Sequence, residues 1–176
     1  MAALLVAQSL AVRIDGDQLR IAAPRVHLIA GDALNRLRDG ATVRYELQLT
    51  ARSERTGRVL ARTQERFAVS YDLWEEKFAI TKLGSPGRSI SHLSSSAADV
   101  WCVDNISIPL APVTGDQPVW IRLDYRVDDS VAPEPADNSG FTLSGLVDIF
   151  SRRTRSEPLR GSEEVGPLRL DSLKKK

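Results

Sequence analysis

Apolar and polar residues alternate along much of the first 130 residues of the chain. The clearest run extends from residue 43 to residue 51, where every second side chain is apolar and the side chains between them are Arg44, Glu46, Gln48 and Thr50. A period of two with one polar face indicates a strand of an antiparallel sheet whose other face meets water. We therefore predict a central strand whose inward side chains are Val43, Tyr45, Leu47 and Leu49.

Similar runs predict further strands on both sides of this one. Two short runs around Asp15-Gly16 are typical of a β-hairpin within residues 10–23. Longer runs cover residues 58–71 and 119–127, and shorter ones begin at Phe78 and Ile106. In all, the pattern predicts about eight strands at the spacing of a sandwich or barrel, and the predicted fold is an all-β antiparallel sandwich.

Two short helices interrupt the strands. The first lies between Gly31 and Gly40, with Asp32 as its predicted N-terminal cap. The second follows Ser94-Ser95-Ser96, where a serine is the predicted cap. Cys102, the single cysteine, falls in this second apolar segment, so we predict a buried and unreactive thiol.

A third helix is predicted near the C-terminus, after a linker at residues 131–140 that contains Pro133, Pro135, Asp137, Asn138 and Gly140. Its apolar side chains recur at the i, i+3, i+4 and i+7 positions of an amphipathic helix and are Leu143, Leu146, Val147 and Phe150. Three arginines follow them and are Arg152, Arg153 and Arg155. Such a short helix is unstable alone in water, so it must dock on its own domain, on a partner protein or on lipid.

The chain of 176 residues is close to the usual size of one domain. We predict a sandwich domain at residues 10–130, the linker at 131–140, and the helix followed by a basic tail at 141–176. Residues 1–9 are apolar and then small, which is typical of the end of a signal peptide; a first strand or a frayed end is the alternative.

The charge of the chain is nearly balanced, with 24 basic and 23 acidic residues. Residues 151–176 carry a net charge of +4, which leaves −3 for residues 1–150. This balance excludes a strong attraction of the whole chain to nucleic acid or to anionic membrane. The arginines on the polar strand faces are interleaved with acids and lack an aromatic platform, so we predict a solvated, self-paired face and no nucleic-acid partner.

Residues able to carry chemistry are few and poorly spaced. His27, predicted to lie within a strand, and His92 lack the spacing of a metal site. The serine-rich segment 89–96 and Asp99 contain the residue types of a catalytic triad but no nucleophile elbow. Residues 84–89 lack the spacing and the lysine of a phosphate-binding loop, and paired loop acids are typical turn formers rather than calcium ligands. We predict no catalytic residues, no metal and no cofactor.

Four segments together resemble a known family: 31–35, 43–47, 66–73 and 78–80. They are similar to a bacterial family of uncharacterised exported proteins, a domain of unknown function that some genomes encode beside an NtrY-like sensor histidine kinase. The resemblance covers roughly residues 10–127. It implies export and carries over no catalytic residues. The chain departs from the family in its incomplete leader and in its C-terminal extension.

These observations together predict a non-enzymatic accessory or protein-interaction module that is exported to the periplasm or cell envelope. Its expected partner is another protein. The alternative is a peripheral membrane or lipid-contacting protein that acts through residues 141–155. In both cases the candidate contact residues are those of the C-terminal helix, namely Leu143, Leu146, Val147, Phe150, Arg152, Arg153 and Arg155. Without export, the protein would be cytoplasmic.

If the protein is exported, its signal peptide is expected to be cleaved at a defined position. Because small residues follow an apolar run, cleavage is expected close to Gln8. The gene would be expressed in its own cell with any in-frame upstream codons, and the N-terminus of the secreted protein would be sequenced. An uncleaved chain recovered only from the cytoplasm would contradict export.

Overall fold

The computed structural model describes residues 10–113, 117–128 and 159–170. Within them the chain forms nine strands, two α-helices and a 3-10 turn at Ala111–Val113. The strands are β1 Ala11–Asp15, β2 Gln18–Ala22, β3 Val43–Arg52, β4 Val59–Asp72, β5 Lys77–Leu83, β6 Arg88–Leu93, β7 Ser107–Pro109, β8 Val119–Val127 and β9 Arg160–Leu168. The helices are α1 Gly31–Arg38 and α2 Ser95–Asp104.

The strands make two antiparallel sheets, which confirms the prediction of an all-β, sandwich-like fold. The smaller sheet has three strands in the order β1-β2-β7, and the larger has six in the order β6-β5-β4-β3-β8-β9. β1 and β2 form the predicted hairpin, with Ile14 opposite Leu19 across the turn. β7 lies at an edge of the small sheet, where Pro109, which has no N–H to donate, is tolerated.

The core lies on one face of the larger sheet. The five apolar side chains of β3 are fully buried, as predicted, and are Val43, Tyr45, Leu47, Leu49 and Ala51. This face packs against α1, α2 and β7, and all of them contribute side chains to one continuous apolar cluster. The opposite face of the sheet carries the polar side chains of β3, β4 and β8, so both sides of the predicted pattern are confirmed.

The two helices begin differently from each other. Ser94 caps α2 as predicted, because its hydroxyl accepts a hydrogen bond from the backbone N–H of Ala97 at 3.3 Å. The predicted cap of α1 is wrong. Ala30 occupies the cap position without a side-chain bond, and Asp32 lies inside the first turn. The turn into α1 is made by Gly31 at a φ of +55°, a region that glycine enters without steric cost.

Two strands were not predicted. β6 lies in the serine-rich segment 88–93 and pairs with β5, where Ile90 and Leu93 pack on the core. β9 lies in the segment assigned to the C-terminal helix and basic tail, and it forms the edge of the large sheet beside β8. The sheet domain therefore extends past the predicted boundary at residue 130. Residues 1–9, the linker and the predicted C-terminal helix lie outside the described residues.

Glycines of β9 explain how it fits against β8. A Cβ atom at Gly166 would lie 2.5 Å from Cδ2 of Trp120, and one at Gly161 would overlap the ring of Tyr125. Each glycine therefore leaves room for an aromatic side chain of β8 to lie across the edge strand, an arrangement that stabilises strand glycines. The guanidinium of Arg55 lies 5.8 Å from the centre of the Trp120 ring and also pairs with Glu164 of β9.

The central position of β3 predicts a large effect of truncating its core. Leu47→Ala should lower the free energy of unfolding by about 2–5 kcal/mol, because the side chain is fully buried and the surrounding structure fills the resulting cavity only in part. Gln64→Ala, on the exposed face of the neighbouring strand β4, is the control, with an expected change below about 0.5 kcal/mol. Urea denaturation measures both, and equal midpoints for the two variants would contradict the assignment.

Candidate functional site

The candidate contact residues of the predicted C-terminal helix are Leu143, Leu146, Val147, Phe150, Arg152, Arg153 and Arg155, and all of them lie outside the described residues. Their role stays a prediction. No helix among the described residues combines the length and the apolar character needed to cross a membrane. Likewise, no group of three or more His, Cys, Asp or Glu side chains in that part of the chain is placed to hold a metal ion.

The residue types of a triad are not brought together by the fold. His92 lies at the end of β6, and its Nδ1 is 2.6 Å from Oε2 of Glu75 in the neighbouring hairpin turn. Asp99 lies on α2, and its Oδ2 is 3.6 Å from Nδ1 of His27. The prediction that His27 lies within a strand is wrong, because it lies in the loop between β2 and α1, after Pro24 has ended the hairpin. Each histidine therefore has a carboxylate of its own, in a different part of the domain.

Asp99 instead joins the loop between β2 and α1 to helix α2 through hydrogen bonds. Its Oδ1 accepts hydrogen bonds from the backbone N–H groups of Leu28 and Ile29, each at 3.1 Å, in a buried environment. Burial raises the pKa of Asp99, although these two hydrogen bonds and His27 act in the opposite direction. The carboxylate thus satisfies two backbone donors that would otherwise be buried without a partner.

Cys102 and Tyr45 lie in the same buried region as Asp99. The thiol of Cys102 is buried, as predicted, and burial raises its pKa, which makes it a poor nucleophile. Burial also raises the pKa of Tyr45, whose hydroxyl has no hydrogen-bond partner among the described residues. These groups are enclosed by the core, so they are parts of the packing rather than a site open to a ligand.

The turn between β4 and β5, residues 72–77, is here called the hairpin tip, and it holds the most exposed aromatic side chain described. Trp74 is 96% exposed and Leu73 is 59% exposed. Both large apolar side chains point away from the core, at the end of a hairpin whose base is closed by contact between the rings of Tyr71 and Phe78. Because they bury little apolar area within the domain, these side chains contribute little to its folding.

The hairpin tip has a defined backbone conformation. Oδ1 of Asp72 accepts hydrogen bonds from the backbone N–H groups of Trp74 at 2.8 Å and Glu75 at 3.0 Å, and these bonds lower the pKa of Asp72. Glu76 adopts a positive φ of 54° that closes the turn. The contact between Glu75 and His92 also ties the tip to β6. The alternating pattern predicts no strand or helix between residues 71 and 78, although two adjacent large apolar residues between acids are a signal for an exposed turn.

The outer face of the large sheet carries a polar cleft of about 570 Å³, formed by β3, β4, β8 and β9. Glu46 lies in it with only 10% of its side chain exposed, and it pairs with Arg66 of β4 and Arg126 of β8. On β8, Arg122 pairs with Asp124 at 2.8 Å. The predicted pairing of arginines with acids on this face is therefore present, and it is centred on one nearly buried carboxylate.

The contacts of Asp99 predict opposite effects for two substitutions. Asp99→Ala leaves two buried N–H groups without an acceptor and should cost about 2–4 kcal/mol of stability. Asp99→Asn keeps an acceptor oxygen at that position and cannot ionise. The raised pKa of Asp99 means that its contribution to wild-type stability is fully present below the unfolded pKa and is lost as the pH rises through the raised folded pKa, so the Asn variant should gain relative to wild type as the pH rises above about 4.

Urea denaturation at several pH values measures both effects. Asp104→Asn is the control, because Asp104 lies on the same helix but pairs with Arg13 at the surface, and its substitution should change stability by less than about 1 kcal/mol. A difference in stability between the Asn variant and wild type that stays constant as the pH rises would contradict a raised pKa for Asp99.

Comparison of the chain with models of known protein families, with curated proteins and with solved structures finds no match. The resemblance to a family of exported proteins therefore stays a prediction from the sequence. The surfaces available for function among the described residues include the hairpin tip and the outer face of the large sheet.

Proposed function

We propose that the protein is a non-enzymatic accessory module that binds another protein through its hairpin tip. The observation that carries this proposal is the 96% exposure of Trp74 on a turn whose backbone is fixed by Asp72. An enzyme places its reactive groups in an enclosed site, whereas this feature is a single large apolar side chain at the end of a rigid hairpin. That arrangement is suited to insertion into a pocket on a partner.

The energetics favour tryptophan in this role. Trp, Tyr and Arg are the residues that most often dominate binding energy at protein interfaces, and truncation of such a residue costs about 2–4 kcal/mol. Trp74 is presented at low entropic cost, because the hydrogen bonds from its own N–H and from Glu75 to Asp72 already hold the turn. Leu73 adds apolar area beside it. The tip is thus organised before it meets a partner.

The charges around the tip define the partner more closely. Asp72, Glu75 and Glu76 surround the two apolar side chains, with Lys77 as the one basic residue of the turn. The complementary surface is an apolar pocket bordered by basic residues. The same acids disfavour insertion into the anionic surface of a bacterial membrane, because carboxylates are repelled by negative lipid head groups. A basic protein surface is therefore the preferred partner.

We further propose that the protein acts after export, in the periplasm or cell envelope. This part of the proposal depends on the apolar character of residues 2–7 and on the family resemblance. The membrane-contacting alternative depends on residues 141–155, outside the described residues, and it provides the competing outcome in the experiment below.

The proposal predicts a specific crosslink at position 74. A photo-reactive phenylalanine analogue would replace Trp74 in the full chain, in the cell that normally makes the protein, and the crosslinked product would be identified by mass spectrometry. We expect one discrete protein with a basic surface around an apolar pocket. The matched control places the analogue at Val59, which is 39% exposed at the end of β4 opposite the hairpin tip and should give no such product.

The identified partner then allows a quantitative test. Trp74→Ala should weaken its binding by about 30-fold or more, corresponding to roughly 2 kcal/mol. The melting temperature should stay unchanged, because the side chain is 96% exposed. Val59→Ala should leave affinity unchanged. Equal affinities for Trp74→Ala and wild type would contradict the proposal, and so would crosslinking of position 74 to lipid with co-sedimentation on anionic liposomes.

A further inference from the structure

One row of charged side chains crosses the outer face of the large sheet. Glu46 on β3 is the register partner of Arg66 on β4 and of Arg126 on β8, and Arg126 is the register partner of Arg160 on β9. Register partners point to the same face of a sheet. These four residues, here called the arginine row, therefore lie side by side on four adjacent strands.

The arginine row is not neutral. One carboxylate accompanies three guanidinium groups, so the row carries a net charge of +2. Glu46 pairs with Arg66 and Arg126, and among the described residues no carboxylate forms an ion pair with Arg160. Arg126 and Arg160 are like charges directly opposite each other on neighbouring strands, an arrangement that lowers the stability of a sheet. A bound anion would remove this repulsion.

Glu46 forms ion pairs with two arginines of the row. Its Oε2 lies 3.5 Å from Nε of Arg66, and its Oε1 contacts Nη2 of Arg126. The carboxylate side chain is only 10% exposed, whereas the side chains of Arg66 and Arg126 are 56% and 62% exposed. A guanidinium has five N–H donors, so each arginine keeps most of its donors for a ligand while one contact fixes its position.

The row lines the cleft of about 570 Å³, a volume within the range of small-molecule sites. Beside the row, the cleft is lined by the ion pair of Arg122 and Asp124, whose charges cancel. Neutral groups that can donate and accept hydrogen bonds also line it, namely the side chains of Gln48, Gln64 and Ser162. Arg66 and Arg126 are two strand spacings apart at their backbones, roughly 10 Å. A ligand that engages both has separated anionic groups or a branched anionic centre.

We propose that this cleft binds a small ligand that carries two or more carboxylate or phosphate groups. Planar guanidinium groups form paired, charge-assisted hydrogen bonds with both oxyanions, and the amide and hydroxyl groups beside them contact the rest of the ligand. The site is separate from the hairpin tip, because it lies on the outer sheet face and Trp74 lies at the end of a turn. It therefore adds a ligand to a protein proposed to bind another protein.

Titration calorimetry with two probes tests the site. Citrate represents carboxylate ligands and tripolyphosphate represents phosphate ligands, each added to the full chain at about 0.15 M ionic strength, where weak surface attraction is screened. We expect saturable 1:1 binding of one probe, and the tighter probe identifies the oxyanion class. Arg126→Gln and Arg66→Gln should each weaken it by about tenfold or more, the loss expected for a charge-assisted hydrogen bond.

The matched control is Arg62→Gln. Arg62 lies on the same strand and face as Arg66 but outside the cleft, so its loss should change affinity by less than about twofold. Equal weakening by Arg62→Gln would show attraction to diffuse positive charge and would overturn the proposal. Failure of both probes to bind saturably would also overturn it.

Glu46→Gln separates positioning from net charge. The substitution removes a negative charge next to the arginines, so charge alone predicts tighter binding of an anion. The proposal predicts weaker binding, by about threefold or more, because the glutamine no longer holds Arg66 and Arg126 in place. Tighter binding to this variant, with a melting temperature showing that it is folded, would overturn the proposal. Trp74→Ala should leave probe binding unchanged.

Discussion

Covering the apolar face of β3 is the constraint on which the rest of the domain depends. Its five inward side chains are fully buried, and the strand is hydrogen-bonded on both sides, to β4 and to β8. A sheet alone can bury neither face, so this surface requires a second layer. The layer is a composite of α1, α2 and the three-stranded sheet, and Asp99 supplies the buried hydrogen bonds that join the loop before α1 to α2.

The same constraint leaves the outer face of the large sheet without a covering layer among the described residues. The polar side chains of this face are exposed to solvent, and the strand register determines which charged side chains are neighbours. Glu46 lies between two arginines because β4 and β8 both align an arginine with it. One nearly buried carboxylate therefore sets the geometry of the cleft, as the five apolar residues on the other side of β3 set the geometry of the core.

The alternation of apolar and polar residues is sufficient to predict a strand where one face of that strand is buried and the other is exposed. The alternation in β3 and β8 predicts their positions because each strand buries every second side chain along much of its length, whereas β4 buries only Phe67 and Val69 and is otherwise half-buried or exposed. β9 gave no such signal, since Val165 and Leu168 are its few apolar residues and two glycines interrupt it. Its conformation is imposed by pairing with β8 and by the aromatic side chains that lie over those glycines.

The two candidate surfaces differ in how far the sequence could reveal them. Leu73 and Trp74 are adjacent in the chain, and their exposure follows from a local turn centred on Asp72. The arginine row combines residues separated by more than ninety positions along the chain, from Glu46 to Arg160. A one-residue shift in any of three strand pairings would send one of its side chains to the other face, so only the complete sheet defines it.

Strand β4 carries parts of both surfaces, with Arg66 near its middle and Asp72 at its end. Coupling between two ligands requires an element with two arrangements that both ligands bias. Around Arg66 the strand is paired with β3 on one side and β5 on the other, which holds it in a single register. Beyond Val69, β4 pairs only with β5, and the tip is closed by its own hydrogen bonds to Asp72. A ligand in the cleft would therefore leave the tip unchanged, and the protein would hold a partner at the tip and an anion on its outer face as two independent events.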